Sequence, residues 1–235
     1  MTLSLASAKA LPSGTELLDD PQADPALVRI NLADLTRANR WFGGWAAVRY
    51  GLARVLRQAS GSHFSLLDVG PGAADLPAAA VEWGRQRGIT IRPVGIEQNQ
   101  TVARFAHARG LRVARGRASA LPLADDSVDL VVVSQVAHHL ERPEVLDLFR
   151  ECDRVARHAV IVADLRRSAI ARAAFLVAGR LLGFHPVTLA DGETSIRRGY
   201  TRAELRDLLQ ATGIHGSVNG RPFFRLVAAW RPQPT

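Results

Sequence analysis

A short run of glycines and acids, between an apolar strand and a helix, is the part of this sequence best suited to bind a ligand. The run is LLDVGPGAAD at residues 66–75. Gly70 and Gly72 allow a tight turn and a close approach of backbone to ligand, and the helix that follows offers unpaired N–H groups. A dinucleotide loop is similar, but its third glycine position is here Asp75, which would repel a pyrophosphate. With Asp68 just before the turn, the loop favours a ligand that carries positive charge, and a plain turn is the alternative.

A second acid ends the next predicted strand. Glu97 follows the glycine loop by one helix and one strand, where a carboxylate can accept hydrogen bonds from both hydroxyls of a ribose. A solvated acid at a helix start is the alternative, because acids are favoured there. The pairing with the glycine loop makes a nucleoside the stronger interpretation.

Two adjacent histidines follow the fourth predicted strand, at the sheet edge where open α/β folds bind ligands. Histidine as a residue type titrates near neutral pH, so either His138 or His139 could remove a proton from an acceptor hydroxyl. A packing role is the alternative, and the sequence does not choose between the two histidines. No metal site is predicted. The single cysteine, Cys152, excludes an intramolecular disulfide and fits a reducing compartment.

The composition indicates an ordinary globular protein. The chain has 235 residues, of which 47% are hydrophobic and 22% charged, and this length favours one domain over two. The net charge of +8 invites a nucleic-acid partner, but nearly all the basic residues are arginines spread along the chain, so we rank that partner low. The first residues have the wrong charge order for a secretory signal, and no apolar run reaches the roughly 18 residues of a spanning helix. We therefore expect a soluble, cytoplasmic protein without a membrane span.

Short apolar runs alternate with helical stretches, which predicts an α/β fold with a doubly wound, largely parallel sheet. Strands are predicted at 65–69, 89–96, 111–114, 128–134, 159–163, 215–219 and 223–230, with the last two joined as a hairpin by residues 220–222. Helices are predicted at about 25–39, 45–60, 74–87, 99–109, 143–156, 169–183 and 201–212. Thr201 and Glu204 have the spacing of a capping box at the start of the last helix.

The regular alternation defines the expected domain organisation. We expect a loose leader over residues 1–24 and a single domain over 25–235. Within it, 25–62 form N-terminal helices and 63–235 a Rossmann-like core with a helical insertion at about 166–200. The N-terminal helices and the insertion are expected to form the acceptor pocket, with the apolar helix at 169–184 and the pair Arg197 and Arg198 as candidates. Packing on the sheet and a solvated loop are the respective alternatives.

Together these motifs resemble the class I S-adenosylmethionine-dependent methyltransferases, in their small-molecule branch (methyltransferase domain 11). The resemblance rests on Asp68-x-Gly70-x-Gly72, Glu97, the run LPLADDSVD at 121–129 and the run SQVAHHL at 134–140, and it covers about residues 64–165. It implies a seven-stranded sheet in the order 3-2-1-4-5-7-6 with strand 7 antiparallel. It also implies S-adenosylmethionine as the cofactor.

The resemblance further implies a role for each matching position. The methionine end of the cofactor would be held by Asp68 and the backbone of Gly70, Pro71 and Gly72. Glu97 would bind the ribose, with Gln98 beside the adenine, and Ala118 and Ser119 would approach the adenine edge. Ser134 and Gln135 would close over the cofactor near the reacting methyl group.

One departure from the family pattern affects the adenine. Many members have an aspartate in a Gly-Asp-Ala run that accepts from the adenine amine, whereas this sequence has Arg117 between Gly116 and Ala118. Arginine cannot accept a hydrogen bond. The amine must then find another partner, such as Ser119 or a backbone carbonyl.

The sequence therefore predicts methyl transfer to a small aromatic or apolar acceptor, in particular O-methylation of a phenolic or enolic metabolite of polyketide or quinone type. Three alternatives stay open: an RNA or DNA methyltransferase, a non-catalytic module that binds S-adenosylmethionine, and a nicotinamide oxidoreductase. The first lacks the Asn/Asp-Pro-Pro-aromatic run that amine-methylating enzymes carry after the fourth strand, and Asp75 argues against the third.

Overall fold

The computed structural model describes residues 16–57 and 59–232. Its centre is a sheet of seven strands in the order β3-β2-β1-β4-β5-β7-β6, in which β1 to β5 run parallel and β7 pairs antiparallel with both β5 and β6. The strand order that the family resemblance implies is confirmed. The strands are β1 (His63–Val69), β2 (Thr90–Glu97), β3 (Arg112–Arg115), β4 (Val128–Ser134), β5 (Ala156–Leu165), β6 (Gly216–Arg221) and β7 (Arg225–Trp230).

Helices cover both faces of the sheet, as the near-continuous apolar strands require. The capping box predicted for the last helix is present, because Thr201 Oγ1 accepts from the Glu204 N–H and the Glu204 carboxylate accepts from the Thr201 N–H. The helices are α1 (Pro25–Trp41), α2 (Gly44–Leu56), α3 (Asp75–Arg85), α4 (Gln100–Ala108), α5 (Arg142–Val155), α6 (Ala169–Leu181), α7 (Pro186–Arg198) and α8 (Arg202–Ala211).

Alternate side chains of the central strands build two apolar cores. Val131 of β4 and Val160 of β5 point to the face covered by α5 and α8, and Val132 and Ile161 point to the face covered by α2 and α3. On that second face α2 lies very close to β5, because a Cβ on Gly51 would come within 2.4 Å of Ile161 Cγ2. This packing fixes the N-terminal helices to the sheet.

The turn of the hairpin lies later in the chain than predicted. Gly220 and Arg221 belong to β6, and the turn is formed by Pro222, Phe223 and Phe224, the last two at φ of 58° and 53°. Glycine marks turns in sequence, but here two phenylalanines take the left-handed conformation that glycine normally adopts.

The insertion is more helical than predicted, because residues 186–198 form α7. Pro186 begins the helix, and the His185 side chain accepts from the Val187 N–H at 3.3 Å. Gly192 weakens the helical signal in sequence, yet a Cβ there would meet the Phe175 ring at 2.3 Å. Packing against α6 therefore overrides local propensity.

The loose leader is a third correction, at residues 16–19, whereas residues 1–15 lie outside the described chain. Glu16 and Leu17 are buried, and Leu17–Asp19 form a short 3-10 helix. Leu17 packs with Val28 and Leu32 of α1. Within the described residues, no helix has the length and apolar character needed to cross a membrane.

Candidate active site

Three loops at the carboxyl edge of the sheet meet around Gly70. Its N–H donates to the Ile96 carbonyl at 2.8 Å, which joins the loop after β1 to the end of β2. Its φ is +71°, and a Cβ at this position would lie 2.6 Å from Val136 Cγ2 in the loop after β4. Both the backbone conformation and the close loop contact therefore require glycine here. Pro71 and Gly72 continue the same turn into α3.

Asp68 lies beneath this turn with a buried carboxylate. Its Oδ1 has no hydrogen-bond partner among the residues that the structure describes, and the side chain is fully enclosed. Burial, followed by the charges of Asp75 and Glu97, raises the pKa of Asp68 well above its usual value. Three carboxyl groups thus converge where a positively charged ligand would relieve both the burial and the repulsion. Ser134 Oγ is likewise buried and unpartnered within the described part of the chain.

Glu97 stands at the end of β2 with its carboxylate toward the glycine loop. Glu97 Oε1 accepts from the Asn99 N–H at 2.9 Å, and burial raises the pKa of Glu97 above its usual value. The loop after β3 is held nearby, because the Gly116 N–H donates to the Glu97 carbonyl at 3.3 Å. That loop carries Ala118 and Ser119, both half-buried, while Arg117 and Gln98 are exposed.

The buried histidine is part of an acid–histidine pair. His138 Nδ1 lies 2.6 Å from Asp164 Oδ1, and the two side chains are almost completely enclosed. Burial raises the pKa of Asp164, but the charge and hydrogen bond of His138 outweigh it and hold the pKa of Asp164 below its usual value. The second ring nitrogen, Nε2, has no partner within residues 16–57 and 59–232. Such a pairing fixes the ring and leaves Nε2 as its reactive atom.

His139 belongs to a different group, formed with the N-terminal segment. Its Nδ1 lies 3.0 Å from Asp19 Oδ1, and its Nε2 lies 3.7 Å from Glu16 Oε2. Burial lowers the pKa of His139, but the bond to Asp19 and the charges of Glu16, Asp19 and Asp164 raise it above the usual value. The raised pKa favours the charged imidazolium, and its contacts link residues 16–19 to the loop after β4. Ligand atoms of Glu16, His138 and His139 also lie within 4.8 Å of one another, a spacing that could hold a metal ion.

Gln135 connects the loop after β4 to the N-terminal helices. It adopts φ of 58°, and its Nε2 donates to Asn39 Oδ1 at 2.7 Å. Asn39 Nδ2 in turn donates to Asp75 Oδ2 at 3.0 Å. On the other side, the buried Arg225 donates to Gln135 Oε1 at 2.7 Å and to the Phe42 carbonyl at 2.9 Å. Both the glycine loop and Gln135 are therefore held by side chains from outside residues 64–165, the part of the chain that carries the family motifs.

A roof over the loops is formed by residues 16–19, α1 and α7. Asp191 is its hub, because its carboxylate accepts from the Leu17 N–H at 3.2 Å and from Asn31 Nδ2 at 2.9 Å. Burial, together with the charges of Glu16 and Asp19, raises the pKa of Asp191 to about 7. A cavity of about 120 Å³ runs beneath this roof, and its lining includes Gly70, Pro71, Gly72, Asp75, Ser134, Gln135, His138, His139, Asp191 and Gly192.

Comparison with known proteins identifies this architecture. Residues 67–163 match the family described as methyltransferase domain. These residues form a methyltransferase domain of the S-adenosylmethionine-dependent type. The cofactor is S-adenosylmethionine, and the buried oxygens of Asp68 and Ser134, which have no partner among the described residues, fit that cation.

Solved structures share the fold of this methyltransferase at low identity. A methyltransferase from Haloferax volcanii, solved with a methyltransferase activator, has 15% identity and a TM-score of 0.62 over 89% of this chain and 97% of its own. A methyltransferase from Aquifex aeolicus has 16% identity and a TM-score of 0.59 over 90% and 100%. Magnesium protoporphyrin IX methyltransferase from Synechocystis has 14% identity and a TM-score of 0.54 over 81% and 84%. A comparison with curated proteins finds no match.

The residues predicted from sequence do meet at one edge of the sheet, although they divide into groups. Gly70, Pro71, Gly72, Ser134 and Gln135 line the cavity together with both histidines. Asp68 and Glu97 lie beside it, and Ala118 and Ser119 lie on the loop next to Glu97. Sequence analysis missed Asp164, whose signal was an acid at the end of the apolar strand HAVIVAD. Asn39 and Asp191 lie in the N-terminal helices and the insertion, which were both predicted to contribute to the acceptor pocket, but the hydrogen bonds they make were not predicted. Arg225 was missed, because no local motif marks it.

Proposed function

We propose that this methyltransferase methylates a hydroxyl oxygen of a small, apolar acceptor of phenolic or enolic type. The observation that carries the proposal is the buried pair of Asp164 and His138, with Nε2 of His138 unpartnered among the described residues and the imidazole lining the same cavity as the glycine loop. A hydroxyl acceptor needs a group that takes its proton. An amine that is already uncharged attacks through its lone pair and does not need a base to remove a proton first.

The loops after β1, β2 and β3 would hold the cofactor. Asp68 and the backbone of Gly70, Pro71 and Gly72 would bind its methionine end, where the converging carboxyl groups favour a cation. Glu97 would accept from the ribose hydroxyls, with Gln98, Ala118 and Ser119 around the adenine. When bound, S-adenosylmethionine supplies a methyl group activated by a positively charged sulfur.

His138 would act as the base for the acceptor. Its Nε2 would take the hydroxyl proton as the oxygen attacks the methyl carbon, and Asp164 would stabilise the imidazolium through Nδ1. Ser134 and Gln135, on the same loop, would exclude water beside the reacting centre. The proton therefore ends on His138, and Asp164 keeps its negative charge throughout.

The surroundings of the roof favour an apolar acceptor. The rings of Phe42, Phe175 and Phe184 pack within 5.8–6.2 Å of one another, and Gly192, which lines the cavity, lies directly against Phe175. A single-domain enzyme over residues 25–235 is part of this proposal, because α1, α2 and α7 all contribute to the core or the cavity. We also propose a cytoplasmic location, which the single and buried Cys152 supports.

The test is methyl transfer from labelled cofactor to a panel of phenols and enols, with products identified by mass. We expect His138→Ala to reduce kcat by about 100- to 10,000-fold while cofactor affinity, measured by calorimetry, stays unchanged. The matched control is His158→Ala, since His158 is exposed on β5. Products methylated only on nitrogen or carbon, or equal loss in both variants, would refute the proposal.

Two further arms separate the alternatives. Treatment with a chelator should leave the rate of methyl transfer unchanged. A rate that falls with the chelator and recovers when a divalent metal is added would instead assign His138 and His139 to a metal site. Cofactor binding without any methylated product from a metabolite extract would indicate a binding module instead. Methylation of RNA with salt-sensitive binding would indicate a nucleic-acid enzyme.

A further inference from the structure

Helix α6 presents an apolar stripe to solvent. Ile170, Val177 and Leu181 are 70%, 60% and 83% exposed, and their spacing places them on one side of the helix. The opposite side packs on α7, where a Cβ on Gly179 would come within 2.6 Å of Leu189 Cδ2. The stripe is therefore not the side that holds α6 to the protein. Exposed apolar side chains that cluster in this way mark an interaction surface.

Further exposed apolar side chains come from segments next to α6. Leu182 follows α6 directly, and Trp41 precedes Phe42, whose ring centroid lies 5.8 Å from that of Phe175 in α6. Phe223 is close to Gly43, since a Cβ on that glycine would come within 3.0 Å of the Phe223 side chain. Six of the seven large apolar side chains that are exposed in the described residues belong to this set. We call it the α6 patch: Trp41, Ile170, Val177, Leu181, Leu182 and Phe223.

The chain segment that contains α6 carries charge of one sign. Residues 165–190 contain no aspartate or glutamate, but they contain four arginines. Arg172 pairs with Glu193 of α7 at 2.9 Å, and Arg167 pairs with Glu204. Arg180, at the C-terminal end of the stripe, pairs with no carboxylate in the part of the chain described, and Arg166 lies over the Phe224 ring at 5.0 Å. A surface that complements this patch must be apolar and negatively charged.

We propose that the α6 patch binds the surface of an anionic lipid membrane. Helix α6 would lie in the plane of the interface, with its apolar stripe at the boundary of headgroups and acyl chains and its arginines at the lipid phosphates. Aromatic side chains such as those of Trp41 and Phe223 are favoured at the boundary between headgroups and acyl chains. A second copy of the chain fits less well, because a two-fold contact through α6 would set the same arginines against each other.

The experiment is sedimentation of the full chain with phosphatidylcholine vesicles that do or do not contain phosphatidylglycerol. We expect binding to the anionic vesicles that falls at high salt, and a loss of at least about ten-fold in the variant Val177→Glu/Leu181→Glu. Arg180→Gln should weaken binding to a smaller extent. The control is Ile30→Glu, an exposed apolar residue of α1 outside the patch, which should bind as the parent does.

Each other outcome overturns the proposal. Three results would exclude an anionic membrane as the occupant of the patch: the protein does not sediment with the vesicles, it binds equally to uncharged vesicles, or Ile30→Glu reduces vesicle binding as much as the double variant does. A concentration-dependent dimer that Val177→Glu/Leu181→Glu abolishes would assign the patch to a second copy. Cofactor affinity of the double variant, measured by calorimetry, shows whether it is folded, so failure of the proposed acceptor chemistry and failure of membrane binding remain distinguishable.

Discussion

The proposed cofactor side of this cavity, formed by the loops, and its proposed acceptor side, formed by the roof, are built in different ways. On the cofactor side, the loops after β1 and β2 are fixed by backbone contacts, such as the Gly70 N–H to the Ile96 carbonyl, that continue the parallel sheet. On the other side, the Asp191 side chain of α7 joins residues 16–19 and α1, and the Asn39 side chain joins α1 to Asp75. Backbone contacts tolerate many sequences, whereas a side-chain network needs particular residues. The family match accordingly ends at residue 163 and leaves the roof out.

His138 lies at the border between the two sides of the cavity. We expect the largest effect from Asp164→Asn, which removes the acid paired with His138. We expect kcat to fall by about 100- to 10,000-fold, since an amide no longer stabilises the imidazolium. Cofactor affinity should not change, and the pH dependence of kcat should be altered. The control is Asp147→Asn on the exposed side of α5. If kcat keeps its parent value and pH profile, Asp164 is only a structural acid.

The cofactor side is tested by Glu97→Ala. Loss of a half-buried carboxylate that would accept from two hydroxyls should weaken cofactor binding by about 10- to 100-fold. Calorimetry with the cofactor measures the change, and Glu82→Ala on the exposed side of α3 is the control. An affinity equal to that of the parent would contradict the ribose assignment.

The acceptor side should respond to pH through Asp191. Its folded pKa of about 7 lies above the unfolded value near 4, so the stability it contributes is complete below about pH 4 and is lost as the pH rises to about 7. His139, whose pKa is also raised, loses its contribution in the same direction above about pH 6.5. Asp191→Asn should remove a decline on the order of 1–3 kcal/mol between pH 4 and pH 8. Denaturant unfolding across this range measures it, and an equally steep decline in the variant would show that Asp191 does not cause it.

The smallest expected effect is the coupling between the two sides. A double-mutant cycle of Asn39→Ala and Gln135→Ala should give an interaction free energy of about 1 kcal/mol in cofactor binding, because their side chains bond at 2.7 Å. A coupling of zero would mean that the roof and the cofactor loops act independently.

Sequence reasoning predicted the sheet and the cofactor loops because both depend on local patterns. Apolar runs, helix caps and the glycine spacing around Gly70 are readable without knowing what lies opposite. The acceptor side depends on distant partners, so Asp191 appeared as part of a loop and α7 was missed. Asp164 could have been found, since an acid that ends an apolar strand needs a partner. The pairing with His138 itself required the register of β4 with β5.

Arg225 has a consequence for any attempt to isolate the catalytic unit. It reaches Gln135 and Phe42 from β7, near the far end of the chain. A fragment cut to residues 67–163 would stop one residue short of Asp164, and it would also lose this guanidinium. We therefore expect the portion that matches the family model to lack activity on its own, and shortening the polypeptide from its C-terminus should disable it long before the glycine turn is reached.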